Sequence, residues 1–593
     1  MKLFALDVQV PTGALLIGGH ANTPAGVHAM QAERSGKAFV PAPALRGALR
    51  EAAERILLAA GEPACLGATG TSDPNEPPKP HCQLGPNDQP CLACQLFGTA
   101  TDDLAGRSRS GRLVLSDAQP IGAAPLRDRP GVGIDRAHRT ASEGILYNFR
   151  GTSPGEALTF RAEGYLEEVE GGPLHRLLQA AVRLTEHIGR GSSRGLGRVK
   201  LVLADPSPSR ATAVPAPGAL SSLRIRVRLA SPTAIGEALP RSNERDTRME
   251  IPGPSLRGAV VFAADAARPE AQEAIAHLAQ HAIFETLYPE GERLNAVQGI
   301  LPAPWPLTTH LCKTEAWAHG LADDLLDRLA FRVAEQAGTL PTLPSPECKR
   351  CSEPGALKRL SGPRTGARPR TRLLTRVALD RDTHSARHGA LFSQVVLDEG
   401  QSFTGIVRNL TPEAAELLHA AFEHGVSVGH GRSYGRGRLE LAGLHAAPVL
   451  PDLATRLGAF AAAWATVAPS FSGRYLLPVT LLSPLLVPQG SDGTALLATA
   501  VGLDERACLL SVRRFGIERG WNMEPHSQEP LGPRTPTRTV EGGGVFVFEL
   551  PAPLDAQQIE HLESLEAQGI GERTTSGFGR VLFFDPIHLR RQS

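Results

Sequence analysis

Residues 188–199 read IGRGSSRGLGRV, and the same register returns as VGHGRSYGRGRL at 428–439 and IGERTTSGFGRV at 570–581. Aligned without gaps, the copies share Gly189, Gly429 and Gly571; Gly195, Gly435 and Gly577; Gly197, Gly437 and Gly579; and Arg198, Arg438 and Arg580. Each copy follows a helix-like segment and runs into an apolar stretch such as VKLVL or VLFF, a helix, glycine-loop, strand pattern. Glycine permits positive φ and close backbone approach, and successive N–H groups in such a turn can form an anion nest. Arg190, Gly191, Ser192, Ser193 and Arg194 in the first copy, His430, Arg432 and Ser433 in the second, and Arg573 in the third add phosphate donors. A plain turn is the alternative for any single copy. Three in one register argue for triplication of a domain that uses the loop.

Working outward, each loop closes a unit that opens with a strand: KLFALDVQVPTGALLIGG, LRIRVRLASPTAIG from Leu223, and RYLLPVTLLSPLLVP from Arg474. The expected boundaries are 1–203, a Pro/Ala/Ser-rich linker at 204–222, a second unit at 223–445, a linker at 446–473 and a third unit at 474–593. The first two units also share VPAPALRGAL at 40–49 and IPGPSLRGAV at 251–260, each followed by a helical pattern. Proline suits a first helical turn, and a helix N-terminus is an anion site that would place Arg46 and Arg257 beside phosphate. A further pair is IDRAHRTASEGILY at 134–147 and LDRDTHSARHGALF at 379–392, with Asp135–Arg136 and Asp380–Arg381 in common. The third unit lacks both landmarks and reads as a shorter, diverged relative.

A chain of 593 residues allows about three to five domains. The net charge of +1 excludes a uniformly basic surface, yet only 7 of the 62 basic residues are Lys, leaving 55 Arg. Guanidinium forks suit phosphate and base recognition; a high-GC genome would give the same bias. There is no run of about 18 apolar residues to span a membrane, and MKLFALDVQV reads as a strand rather than a signal peptide. Seven of the eight Cys fall into two clusters, which implies metal ligation in a reducing cytoplasm. Cys65, Cys82, Cys91 and Cys94 suit tetrahedral zinc in an insertion at 62–95 that has too little apolar content for a core of its own, with His81 able to replace one thiol. In a second insertion at 305–355, Cys312, Cys348 and Cys351 supply three ligands and His310 or His319 the fourth, with His310 the one assigned. Both sites are expected to be structural.

The proline-to-Leu-Arg-Gly motif, CQLFGTA at 94–100, the IDR-type segment and the terminal glycine loop together resemble the RAMP superfamily, RNA-binding subunits of CRISPR effector complexes. The first unit resembles a type III backbone subunit, and the other two resemble the large type III-D RAMP protein often called Csx-ten. The resemblance implies an α+β chain of three tandem ferredoxin-like (RRM-like) RAMP domains, the first two carrying the zinc-binding insertions. It implies guide CRISPR RNA and target RNA as ligands. It also implies assembly with a large polymerase-like subunit, other backbone subunits and a small subunit, and places the IDR-type segment in a thumb hairpin that interrupts the guide–target duplex.

Backbone subunits of this family that cut target RNA use an Asp between the first strand and the proline motif. The first unit has no Asp there and offers His20, His28 and Glu33; the second has Asp246, with Glu237 and Glu244 behind it. A carboxylate there can hold Mg²⁺ or position a 2′-hydroxyl, and a solvated loop acid is the alternative. Two other functions stay open: a free-standing, metal-independent RAMP endoribonuclease that matures guide precursors, with His20, His28, His138 or His384 as acid and base, and a zinc-stabilised assembly scaffold.

Overall fold

In a computed structural model, the residues described are 2–18, 27–29, 32, 36–64, 90–99, 109–168, 170–205, 221–236, 244–291, 301–314, 316–339, 348, 350–351, 357–365, 367–379, 386–522 and 532–590. The protein is mixed α+β with antiparallel sheets at its centre.

The strand Lys2–Val10 shows how the first unit forms. Phe4, Leu6, Val8 and Val10 alternate inward and are buried, as a half-buried strand requires, while Asp7 turns outward to a two-pronged ion pair with Arg161. Its neighbours are Lys200–Ala204 on one side and Leu158–Leu166 on the other, with Leu113–Leu115 beyond the latter, all antiparallel. Numbered along the chain, the sheet order is 4-1-3-2. The helices Ala42–Ala59 and Pro173–Leu184 share this sheet's apolar core through Leu45, Leu49, Leu57, Leu174, Leu177 and Leu178. Pro41 caps the first of them with no side-chain hydrogen bond, and Pro43 sits in its opening turn. The proline motif is therefore a helix start, because Pro fixes the φ the first turn needs and loses no bonded N–H there.

The same order recurs twice. In the second unit it runs Arg438–Ala446, Leu223–Leu229, Ser402–Arg408, Ile283–Phe284, and in the third Val581–Phe583, Tyr475–Leu481, Val545–Leu550, Cys508–Val512. The third unit thus keeps the strand order although its sequence lacks the proline and IDR landmarks. Each unit also raises a hairpin between its second and third sheet strands: Leu126–Ile134 with Ala141–Thr152, Thr371–Leu379 with Ala386–Leu397, and Phe515–Glu518 with Thr537–Val540.

Two expected boundaries differ. The stretch 446–473 holds the helix Leu453–Val467, whose Leu453, Phe460 and Trp464 are buried in the third unit's core. Its start is capped by Asp452, which accepts from the Thr455 N–H at 2.6 Å. The second insertion also belongs partly to that core. The helix Leu325–Gln336 contributes Leu325, Leu326, Leu329 and Val333 to it. The insertion therefore ties the second unit to the third.

Candidate functional site

The three glycine loops have one backbone shape. Each centres on a short 3-10 turn, Ser192–Arg194, Arg432–Tyr434 or Thr574–Ser576, held between left-handed residues. Positive φ falls at Gly189, Gly191, Gly195 and Gly197, at Gly429, Gly431, Gly435 and Gly437, and at Gly571, Arg573, Gly577 and Gly579. Arg573 holds at φ 57° a place that is glycine in the other two copies, at the conformational cost a side chain incurs there.

Several of the loop N–H groups are spent within the protein. Arg190 and Gly197 donate to the Leu16 and Ala14 carbonyls, and Arg194 and Leu196 both donate to Gly191. In the second loop His430 and Gly437 donate to Ala234 and Pro232, and Tyr434 and Arg436 to Gly431. These bonds clamp the strand-four loop onto the exit of strand one and leave those N–H groups unavailable for the expected anion nest. The arginines divide. Arg190, Arg194, Arg198 and Arg438 are exposed, whereas Arg580 is buried against Glu285 at 3.2 Å and donates to the Ala567 carbonyl. Arg432 donates to the Tyr165 hydroxyl at 3.1 Å with its guanidinium 4.0 Å from the Phe262 ring centre, and Arg573 lies over Phe578. Burial and Arg245 hold His430 below the usual histidine range. The Ser193 side chain lies outside the described residues; Ser433 is half-buried.

Arg46 is buried and Arg257 half-buried, each turned onto partners within the protein. Arg46 is 5% exposed, donates to the Leu113 and Phe97 carbonyls, and is lowered by burial to about 10. Arg257 donates to the Ala279 carbonyl at 2.6 Å and to the Thr575 hydroxyl at 3.2 Å. For Arg46, a buried guanidinium satisfied by carbonyls is a packing device.

The IDR-type segment forms the tip of the first hairpin. Asp135 turns the chain by accepting from the Ala137 and His138 N–H groups at 2.7 and 2.8 Å, bonds that hold its carboxyl below the usual range. Arg136, His138 and Arg139 are left exposed together. Asp380, Arg381 and His384 of the second tip lie outside the described residues.

The two expected cleavage loops occupy one place in the repeat. Val27–Ala29 pairs in parallel with the first hairpin at Asn148, Phe149 and Arg150; Glu244–Arg245 pairs in parallel with the second at Ser393 and Gln394. Matched through the two 12-residue hairpin strands, His28 corresponds to Arg245, and Asp246 to Ala29. Asp246 is exposed and accepts from the Thr247 N–H at 2.8 Å. His20, Glu33 and Glu237, and the Glu244 side chain, lie outside the described residues.

Among the described residues, Cys312, His319, Cys348 and Cys351 form the one cluster of metal-ligating side chains, with their ligand atoms all within 4.8 Å of one another. Cys312 ends the strand Thr309–Cys312, His319 ends a 3-10 turn, and Cys348 and Cys351 supply a CxxC pair. The Cys312 and Cys351 sulfurs are 3.4 Å apart, and His319 Nδ1 lies 3.1 Å from Cys351 Sγ and 3.5 Å from Cys348 Sγ. Tetrahedral zinc with bonds of about 2.3 Å to sulfur sets sulfurs about 3.8 Å apart, so the set accommodates zinc once Cys312 and Cys351 move apart by a few tenths of an ångström. Burial works against ionising Cys348, yet the Cys351 and Arg350 N–H groups and His319 hold it below its ordinary value; burial and then its thiol neighbours push Cys351 up to about 12. The histidine the structure brings to the three thiols is thus His319 and not His310. His310 lies near Asp324 at 3.7 Å, with its Nδ1 2.9 Å from the Thr308 carbonyl. Cys65 and Cys82 lie outside the described residues; Cys94 is buried and accepts from Arg50 at 3.4 Å, and Cys91 caps the short helix Leu92–Phe97.

Sequence reasoning missed the joint beside this cluster. Asp323 accepts from Thr308, Thr309 and the Leu325 N–H, and its Oδ1 lies 3.1 Å from His588 Nδ1. Arg364 makes a buried pair with Asp585 at 2.5 Å. Burial opposes both charges of the first pair, but the partners' attraction raises His588 above, and lowers Asp323 below, their ordinary values. A raised histidine stabilises fully below its unfolded pKa of about 6.5 and loses that contribution as pH rises through the folded value; a depressed carboxyl loses its own below about 4. The thermal midpoint should therefore be higher at pH 6 than at pH 9, and His588→Gln should flatten that difference. An unchanged pH profile in the variant would contradict the pairing.

No helix among the described residues is long and apolar enough to cross a membrane. No curated protein matches the chain. The family model described as RAMP superfamily matches residues 10–200 and 226–440, the first two units and more than half of the chain. By that match over two successive copies, the chain belongs to the RAMP superfamily, whose members are CRISPR-associated, generally bind CRISPR RNA and act in multisubunit complexes.

Proposed function

We propose that the chain is a guide-RNA-binding subunit of a type III CRISPR effector, of the III-D kind, that fuses a backbone-type unit to a Csx-ten-like RAMP protein and recognises target RNA through guide pairing. Its three units are read as ferredoxin-like domains, since a 4-1-3-2 antiparallel sheet with helices between strands one and two and between three and four is that fold's order. The observation that carries the proposal is the repeated hairpin, raised at one place in each unit, with Arg136, His138 and Arg139 exposed at the first tip. Exposed arginines on a repeated projection suit a phosphate backbone that runs along the array, and Arg190, Arg198 and Arg438 extend the same charge.

Zinc is proposed as structural at Cys312, His319, Cys348 and Cys351 and, through Cys65, Cys82, Cys91 and Cys94, in the first unit. Asp246 is the proposed carboxylate for a Mg²⁺-dependent cut in target RNA, from the second unit only, because the matching place in the first is Ala29.

One set of variants tests this. Arg136→Ala with Arg139→Ala should weaken binding of guide RNA and flatten its salt dependence by about 0.7 log unit per lost phosphate contact. Asp246→Ala should abolish the cut and leave guide binding intact. Unchanged affinity and slope in the double arginine variant would remove the hairpin from the RNA path, and cutting of precursor RNA without metal would favour the endoribonuclease reading.

A further inference from the structure

The three glycine loops differ in what lies against them. In the second unit a Cβ on Gly435 would strike Ser116 and stand 2.5 Å from the Leu115 carbonyl, at the end of the first unit's second strand. Arg46 of the first unit lies with its guanidinium 5.5 Å from the Tyr434 ring centre of that loop. In the third unit a Cβ on Gly577 would strike the Phe284 carbonyl and stand 3.1 Å from Glu285 Cα. Arg257 of the second unit reaches Thr575 of that loop. Ser116 and Glu285 each follow directly on the second strand of their sheets, and Arg46 and Arg257 are the arginines of the two Leu-Arg-Gly helix starts. One socket, strand end plus helix-start arginine, thus receives one tongue, the 3-10 turn and its closing glycine, twice in the same direction.

The first unit's tongue has the same backbone and no such cover among the described residues. Gly191 and Gly195 flank Ser192–Arg194 at φ 79° and 78°. Ser192 and Gly195 are exposed, and no described atom lies within 4 Å of a Cβ built on Gly195. At the other end of the array the third unit's helix Thr494–Ala500, TALLATA, carries no arginine. Among the described residues, one side of the array thus shows an uncovered tongue, and the other shows no helix-start arginine to complete a socket. Its two complete sockets are filled by its own loops, so a second copy of the chain has none to offer.

We propose that the Ser192–Gly195 turn seats in the socket of a separate RAMP-type chain, one with a Leu-Arg-Gly helix start and an uncovered end of its second strand. This rests on the reading of the protein as a subunit of a multisubunit effector. It sets the direction of assembly: the neighbour sits on the first unit's glycine-loop side.

The test uses the full chain, purified in its particle from cells that express the other subunits. Ser192→Cys, labelled with a benzophenone maleimide and irradiated, should crosslink to a different protein at the residues just after a second sheet strand, beside a Leu-Arg-Gly helix start. Ser192→Trp should weaken retention of that same subunit at least about tenfold, with the thermal midpoint of the isolated chain unchanged because the turn touches no core. A crosslink to RNA alone, to residues 508–514 of a second copy, or to nothing in a particle that still holds guide RNA would overturn the proposal and leave the functional reading standing. A chain that purifies with neither RNA nor subunits would overturn both.

Discussion

Cys348→Ser together with Cys351→Ser is expected to cost the protein one zinc ion and to lower the thermal midpoint of its C-terminal half by on the order of 10 °C. The magnitude follows from position. The cluster closes the three-stranded sheet of Leu321–Asp323, Thr309–Cys312 and Leu357–Arg359, too small to be stable alone. That sheet holds Asp323 against His588 and leads into the helix Leu325–Gln336 of the third core. Structural zinc contributes folding energy directly, on the order of 10 kcal/mol in small zinc modules. A fraction of that, about 3–5 kcal/mol, moves the midpoint of a domain of this size by about 10 °C. Zinc analysis and a thermal melt check it, with His319→Ala expected to weaken the site and His310→Ala to leave the zinc content unchanged. Full zinc in the double cysteine variant would remove the site.

Gly437→Ala should be, with Gly579→Ala, among the most damaging single methyl groups at the described glycines. Gly437 has φ 74°, and a Cβ there would overlap the Val428 carbonyl. The Val428 N–H in turn donates to the Gly437 carbonyl at 2.9 Å, and the Gly437 N–H donates to Pro232 at 3.1 Å. Left-handed backbone costs a non-glycine residue about 1–2 kcal/mol, and the overlap must break at least one of those bonds, so a loss above about 3 kcal/mol is expected. Gly458→Ala is the control. It lies within the helix Leu453–Val467 with no described atom near its Cβ position, and should stabilise by about 0.5–1 kcal/mol. Equal denaturation midpoints for the two variants would mean that the loop is not the rigid clamp its hydrogen bonds describe.

Much of this architecture was legible because it repeats. The opening strands, the proline helix starts and the loop register all lie in short windows where backbone preference dominates. The use of each loop was not. Whether Arg580 meets solvent depends on Glu285, and Tyr434 meets Arg46 across almost the whole of two units, contacts that no local pattern encodes. The segment 446–473 reads as a linker on its Ala and Pro content, yet it holds the helix Leu453–Val467. Its helical signal was present in the Asp452 cap and in Leu453, Phe460 and Trp464 at helical spacing. His310 lies two residues before Cys312 and His319 seven after it, and only the turn at Ala316–His319 decides between them.

The most direct measurement is a map of RNA–protein crosslinks on the assembled particle, read by mass spectrometry. Guide RNA should crosslink to the hairpin tips, residues 134–140 first and their counterpart at 380–385, with the buried Arg46 and Arg580 silent. Guide RNA in the particle with no crosslinks to either hairpin, or none anywhere on this chain, would contradict its reading as a guide-binding subunit.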